Sequence, residues 1–227
     1  MFVIPCLFSK KCNLVYELVD GIRKFHPYER IVIVDSGSDD KSYFELQDIY
    51  PNIIVEDVCN KGWMVGAYWH AYNKYPDEDF YYFLHDTMRI KANIDYMKQQ
   101  DLTLLFTFYR SEPFNKWSNR VTCETNIKYY NTNGFGCFGP TFMCKNHVMK
   151  KLKELGCGNI IPTDKIGVGC CEGMYGFFFE HLGYDLMKCS LHGDFTSNSI
   201  NRDNTDWMFP VQKLFGHMID KETRGDW

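Results

Sequence analysis

Residues 31–40 read Ile-Val-Ile-Val-Asp-Ser-Gly-Ser-Asp-Asp, IVIVDSGSDD, and this stretch decides the fold class. Four β-branched residues in a row with no polar break describe a strand buried on both faces, as in parallel sheets. The following DSGSDD is turn chemistry. Asp39 and Asp40 stand where acidic side chains favour a helix N-terminus, which predicts a helix through Phe44 and Ile49 to Pro51.

Working outward, the same alternation repeats. Phe2 to Leu7 reads as a buried strand, and Leu14, Val15, Leu18, Val19, Ile22 and Phe25 recur at helical spacing until His26-Pro27. Ile53 to Val55 is a third strand, and residues 61–74 a third helix with Met64, Val65, Tyr68 and Tyr72 on one stripe. Phe80 to Leu84 is a fourth strand and Leu102 to Phe108 a fifth. Strands separated by helical crossovers imply an α/β fold with a mixed, mostly parallel, Rossmann-like sheet covered by helices on both faces. Residues 111–133 break the pattern as a polar excursion that can frame a site. After it the pattern predicts a strand at Phe138 to Cys144, helices at Asn146 to Leu155 and near 170–182, and a short strand near Asp185 to Ser190. The tail is polar apart from an amphipathic stretch around Trp207 to Met218, read as a lid or as packing on the body. No repeat, low-complexity tract or linker interrupts the chain, so residues 1–227 form a single domain in this reading.

The formal charge of −4 leaves no global basic field, so no nucleic-acid partner is expected. At 45% hydrophobic residues the chain is too apolar to be disordered, and no apolar run reaches the roughly 20 residues of a membrane span. The ten cysteines include no CxxC pair, and the start MFVIPCLF carries no basic leader. They are read as small core hydrophobes in a reducing, cytoplasmic setting.

The literal pattern Gly134-x-Gly136-x-x-Gly139 follows a polar stretch and precedes Pro140 and a strand, so it is read as turns or a loop lining a site, not as a dinucleotide fingerprint. Asp35 is more telling. It stands at the carboxyl end of a buried strand, where open parallel sheets bind ligands, although a turn and helix cap is an equal reading. Asn60-Lys61-Gly62 opens the third helix, where free N–H groups and a lysine suit a pyrophosphate, or a plain Asn cap with a surface lysine. The run FYYFLHDTMRI (residues 80–90) brings His85-Asp86-Thr87 to the same edge. An acid there needs a partner, a hydrogen bond or a cation. Trp63 and Trp69 are assigned to the core, His70 and His181 to structural positions.

Taken in order, FVIPCLF, IVIVDSGSDD, the helix opening on Asn60-Lys61-Gly62, FLHDT, and GVGCCEGMYGFFFEHLGYD (residues 167–185) resemble the GT-A glycosyltransferases, especially small inverting enzymes of family 2 type. The order is also similar to that of the compact glycosyltransferases encoded by large DNA viruses of algae, and the likeness covers residues 2–192. It implies residues 1–110 as the nucleotide-sugar half, 111–200 as the acceptor and catalytic half, and 201–227 as a tail. It implies a UDP-sugar or similar donor, a glycan or other hydroxyl acceptor, and a divalent ion, Mn²⁺ or Mg²⁺. Asp35, Asn60, Lys61 and Asp86 would hold the donor, Asp86 and His192 the metal, and Trp117 the acceptor. Glu172, at the expected helix start, would be the catalytic base, with Asp164 in reserve. Where the family carries Asp-x-Asp, this chain has His85-Asp86-Thr87, one carboxylate fewer. A nucleotidyltransferase and a non-catalytic nucleotide-sugar-binding module are the competing readings.

Overall fold

The central strands form where the sequence is most continuously apolar. In the computed structural model, which describes residues 1–7, 13–59, 62–110, 118–128, 131, 134–194 and 210–213, β1 (Phe2–Cys6) and β2 (Ile31–Asp35) are buried at every position. They pair in parallel with Cys6 opposite Asp35, and β3 (Ile53–Asp57) adds on with Asp57 opposite Asp35. On the other side β4 (Phe80–Phe83) pairs with β1 in parallel. The sheet order is β3-β2-β1-β4-β9-β6, where β6 is Leu102–Leu104 and β9 is Phe142–Lys145. Only β9 runs against the rest, antiparallel to both neighbours. The mixed, mostly parallel sheet with helices on both faces is therefore what the chain adopts.

Alternation along the strands sorts the core into two clusters. Phe2, Ile4, Ile31 and Ile33 face α1 (Asn13–Phe25), packing with Leu18, Ile22 and Tyr82. Val3, Val32 and Val34 face the other way, toward α3 (Trp63–Lys74) and α6 (Lys165–His181). Here Tyr68, Phe83, Phe142, Tyr175 and Phe179 stack in successive tilted and edge contacts with ring centroids 4.8–6.2 Å apart. The aromatic richness of the described chain is shared between this layer and the one against α1, where Phe2, Tyr43, Phe80, Tyr82 and Phe106 are buried. Six of the nine described cysteines are buried, and none of the nine forms a disulfide.

Several boundaries differ from the sequence expectation, each for a local reason. The expected strand Leu102 to Phe108 is two strands. β6 stays in the sheet, while β7 (Thr107–Arg110) leaves it to pair with β8 (Gly134–Cys137) in a separate ribbon. The expected strand Phe138 to Cys144 starts later, because Gly139 turns the chain at φ +57° before β9. Asp39 and Asp40 lead into a 3₁₀ turn, Ser42–Glu45, and only a short α2 (Leu46–Ile49). Part of the polar excursion is helical, α4 (Ser118–Glu124). α5 (Asn146–Glu154) lies where expected. α6 begins at Lys165, five residues before the expected start, because the Asp164 side chain caps it by accepting from the Gly167 N–H at 2.6 Å. Asp185 likewise caps α7 (Leu186–Cys189), so that segment is a helical turn and not a strand. Two more short strands, β5 (Met88–Ile90) and β10 (Val211–Lys213), pair antiparallel. Trp207, Phe209, Leu214 and Phe215, the expected lid, lie outside the described residues.

Two glycines of α6 give opposite predictions. A Cβ at Gly176 would lie 2.2 Å from the Phe135 carbonyl oxygen, a backbone atom that cannot swing aside. Gly176→Ala should lower stability by about 1–3 kcal/mol through overpacking. A Cβ at Gly169 meets nothing within 4 Å. Gly169→Ala should raise stability by about 0.5–1 kcal/mol, from helix propensity. Thermal unfolding of the two variants should move the midpoint in opposite directions.

Candidate functional site

The parallel strands all end at one edge, and a cleft of about 530 Å³ opens there, a size suited to a small organic ligand. Its walls are Pro5, Cys6 and Leu7 from the end of β1, Ser36 after β2, and His85, Asp86 and Thr87 after β4. Trp63 and Met64 from the start of α3, Thr163 ahead of α6, and Lys213 from β10 complete it. Trp63 is thus a cleft residue and not a core one; Trp69 is buried as expected. Cys59 and Trp63, at φ 45° and 47°, are the described non-glycine residues with left-handed backbone, and they bracket the entry to α3. That conformation is strained for a side-chain-bearing residue and is held only by its surroundings.

A hydrogen-bond chain runs along one wall. Glu172 Oε1 accepts from the Gly139 N–H at 2.9 Å. The Gly139 carbonyl pairs with His85 Nε2, and Lys213 Nζ lies 2.7 Å from His85 Nδ1. Lys213 Nζ also donates to Thr87 Oγ1 at 2.6 Å. A carbonyl can only accept, so His85 carries its proton on Nε2 and offers the Nδ1 lone pair to the ammonium. Burial and the Lys213 charge hold His85 far below its ordinary pKa, so it is neutral. The ribbon β7–β8 is fixed to α6 by Arg110, which is wholly buried and paired with Glu180, while Glu180 Oε1 accepts from the Phe135 N–H at 2.9 Å.

The two acids of the site share one perturbation. Burial raises Asp86 to about 6, with Lys213 and the Thr87 N–H pulling the other way. Burial raises Glu172 to about 7, opposed by the Gly139 N–H and by Lys213. Lys213 is pushed down to about 8 by its own loss of water, against the attraction of Asp86 and Glu172. Asp86 and Lys213 on the cleft wall and Glu172 beside Gly139 thus all exchange protons near neutrality, a clustering characteristic of functional sites.

The structure places the other expected residues as follows. Asp35 is wholly buried and accepts from the Gly37 and Ser38 N–H groups and from the Tyr43 hydroxyl. Burial works against its charge, and these bonds outweigh that to hold its pKa low. It fixes the loop that puts Ser36 on the cleft wall. Glu172 sits two turns into α6 and not at its start, yet it reaches the site through Gly139. Asp164 is exposed and occupied as the α6 cap. Asn60, Lys61 and Trp117 lie outside the described residues. His192 stacks on Phe106 and directs Nε2 to the Val211 carbonyl at 3.1 Å, which commits that nitrogen to donating. Burial takes its pKa down to about 4. His70 meets Glu56 and His181 packs on Phe177, both away from the cleft walls. Among the described residues no three His, Cys, Asp or Glu side chains gather to hold a metal ion. With Lys213 already acting on Asp86, this donor set does not fit the expected Mn²⁺ or Mg²⁺.

Sequence reasoning brought His85 and Thr87 to the edge without giving either a role, and missed Lys213. Thr87 is adjacent to an acid that was found, but Lys213 lies in no motif and reaches the site only by strand pairing.

No protein-family model matches the chain, and no curated protein does. Among solved structures it is similar to S. aureus TarS 1–349, at 16% identity and TM-score 0.45, over 78% of this chain and 54% of that one. It is similar to the same fragment in complex with UDP, at 13% identity and TM-score 0.46, with the same shares covered. A third likeness is to GalNAc-T7 with UDP, GalNAc and Mn²⁺, at 13% identity and TM-score 0.45, over 71% of this chain and 37% of that one. The chain spans about half the length of the TarS fragment.

The raised Glu172 pKa fixes a stability trend. Between its ordinary 4.5 and about 7 the folded protein holds a proton the unfolded chain has lost. Unfolding free energy should therefore fall as pH rises through that window. Glu172→Gln should flatten the fall by an amount on the order of 3 kcal/mol at most. Asp86 would keep its own share of the slope below about pH 6. Chemical denaturation of both proteins across pH 4.5–8 measures the difference.

Proposed function

We propose that this cleft binds a nucleotide-sugar, a UDP-sugar first among them, and transfers its sugar to an acceptor hydroxyl with inversion, on a GT-A-like scaffold. The observation that carries the reading is the placing of Asp86 and Lys213 on the wall of a cleft of about 530 Å³ at the carboxyl edge of a parallel sheet, with Glu172 held on Gly139 close enough to act on Lys213. Support for a uridine nucleotide comes from the sequence resemblance. In this reading the nucleoside lies over the Asp35–Ser36 turn, and the roles assigned to Asn60 and Lys61 (ribose and phosphate) and to Trp117 (acceptor) rest on the sequence resemblance alone.

The chemistry asked of the residues is limited. An acceptor hydroxyl oxygen forms the new bond to the anomeric carbon while the bond from that carbon to the diphosphate oxygen breaks. The electron pair leaves with the diphosphate, and the hydroxyl proton passes to the Glu172 carboxylate. A base with a pKa of about 7 is matched to that proton at neutral pH. Asp86 orients the donor beside the reacting carbon, and Asp164 holds the start of the helix that presents Glu172. A divalent ion, if the enzyme uses one, would have to bring ligands beyond the described residues.

A panel of nucleotide-sugars scored by release of nucleoside diphosphate tests the reading. Release with at least one donor, accelerated by a sugar acceptor, is the expected result. Loss of a general base typically costs 10²–10⁴-fold in rate, and Glu172→Ala should lower turnover by that order. Asp86→Ala should lose activity at every donor concentration. Turnover of both variants at the wild-type rate would remove these residues from the site. Nucleotide binding with no release from any donor would favour the binding module.

A further inference from the structure

A diphosphate in this cleft needs a positive counter-charge, and among the described residues the groups that would hold a divalent ion do not assemble. Asp86 has no second carboxylate beside it in His85-Asp86-Thr87, and His192 Nε2 is turned to the Val211 carbonyl. What stands at that place is an amine. β10 pairs with β5 with Lys213 opposite Met88, which carries the side chain across the end of β4. There Nζ is anchored at 2.7 Å on His85 Nδ1 and 2.6 Å on Thr87 Oγ1, on the same wall as Asp86.

An ammonium has three N–H groups. Two are taken by His85 and Thr87, and among the described residues the third has no partner. Two fixed anchors and a strand held by backbone pairing leave the nitrogen little freedom, so its charge is positioned in advance of any ligand. Lysine is a compact point charge well suited to phosphate oxygens. A divalent ion at Asp86 would be repelled by that charge, and hard cations hold only to several oxygen ligands at once.

We propose that Lys213 is the cation that receives the diphosphate of the bound ligand, where a divalent ion would otherwise sit, so that nucleotide binding needs no metal. The inference rests on the nucleotide-sugar reading for the identity of the ligand, but the anion site itself stands on the geometry of Lys213.

Titration calorimetry with UDP and with inorganic pyrophosphate, each in EDTA and in Mn²⁺, tests it. Both ligands should bind as tightly in EDTA as in Mn²⁺. Lys213→Met should weaken both by about tenfold or more, the loss of one charged hydrogen bond. Lys213→Arg should restore most of the affinity, and circular dichroism should show both variants folded. The wild-type comparison of EDTA with Mn²⁺ decides the matter even if Lys213→Met does not fold. Binding that requires Mn²⁺, or Lys213→Met binding at wild-type affinity, would overturn the inference and leave the nucleotide-sugar reading in place. Metal-free pyrophosphate binding lost in Lys213→Met, with no UDP binding, would uphold the anion site and overturn that reading. Failure of both ligands in both buffers would overturn the two together.

Discussion

An amine taken out of bulk water has to be matched by its new neighbours, and the cleft is organised around that requirement. Lys213 loses hydration on entering the wall, and only acceptors and negative charge restore what it loses. The imidazole lone pair of His85 and the Thr87 hydroxyl accept from it, and Asp86 and Glu172 supply the field. Each of these is held in turn. His85 is fixed by the Gly139 carbonyl, and Gly139 by Glu172. The ends of β4 and β10, the turn after β8 and the middle of α6 are thereby tied into one network. Breaking any link would leave a polar group in the wall without its complement.

The sheet was legible because its evidence is local. IVIVD and FYYF are continuous apolar runs, and runs of that kind belong to strands covered on both faces. The Asp35 turn and Asp86 could be placed at one edge because parallel strands must all end together. The errors came where tertiary contacts overrode local signals. Asp164 extended α6 past two glycines, and Asp185 turned a β-like segment into a helix by capping it. Leu102 to Phe108 gives no hint that the chain changes sheets midway, since the partner of its second half lies well beyond it in the chain, at Gly134 to Cys137.

Lys213 marks the limit of such reading. Its partners are 126 and 128 residues away in the chain, and a lone lysine between Gln212 and Leu214 has no periodicity or motif to flag it. Glu172 was found through the order of motifs in a known family, and its predicted place at a helix start was off by two turns. The register of α6 against the Gly139 turn, and not the helix N-terminus, is what delivers the carboxylate.

The pairing of β10 with β5 also separates in sequence the scaffold of the cleft from its positive charge. All six strands of the main sheet are encoded by Lys145, and α6 ends at His181. Asp86 and Glu172 both lie within that stretch, and the ammonium does not. Val211–Lys213, paired with Met88–Ile90, sets one ammonium against those two carboxylates. A three-residue ribbon, remote in sequence from both acids, thus carries the positive charge of the cleft.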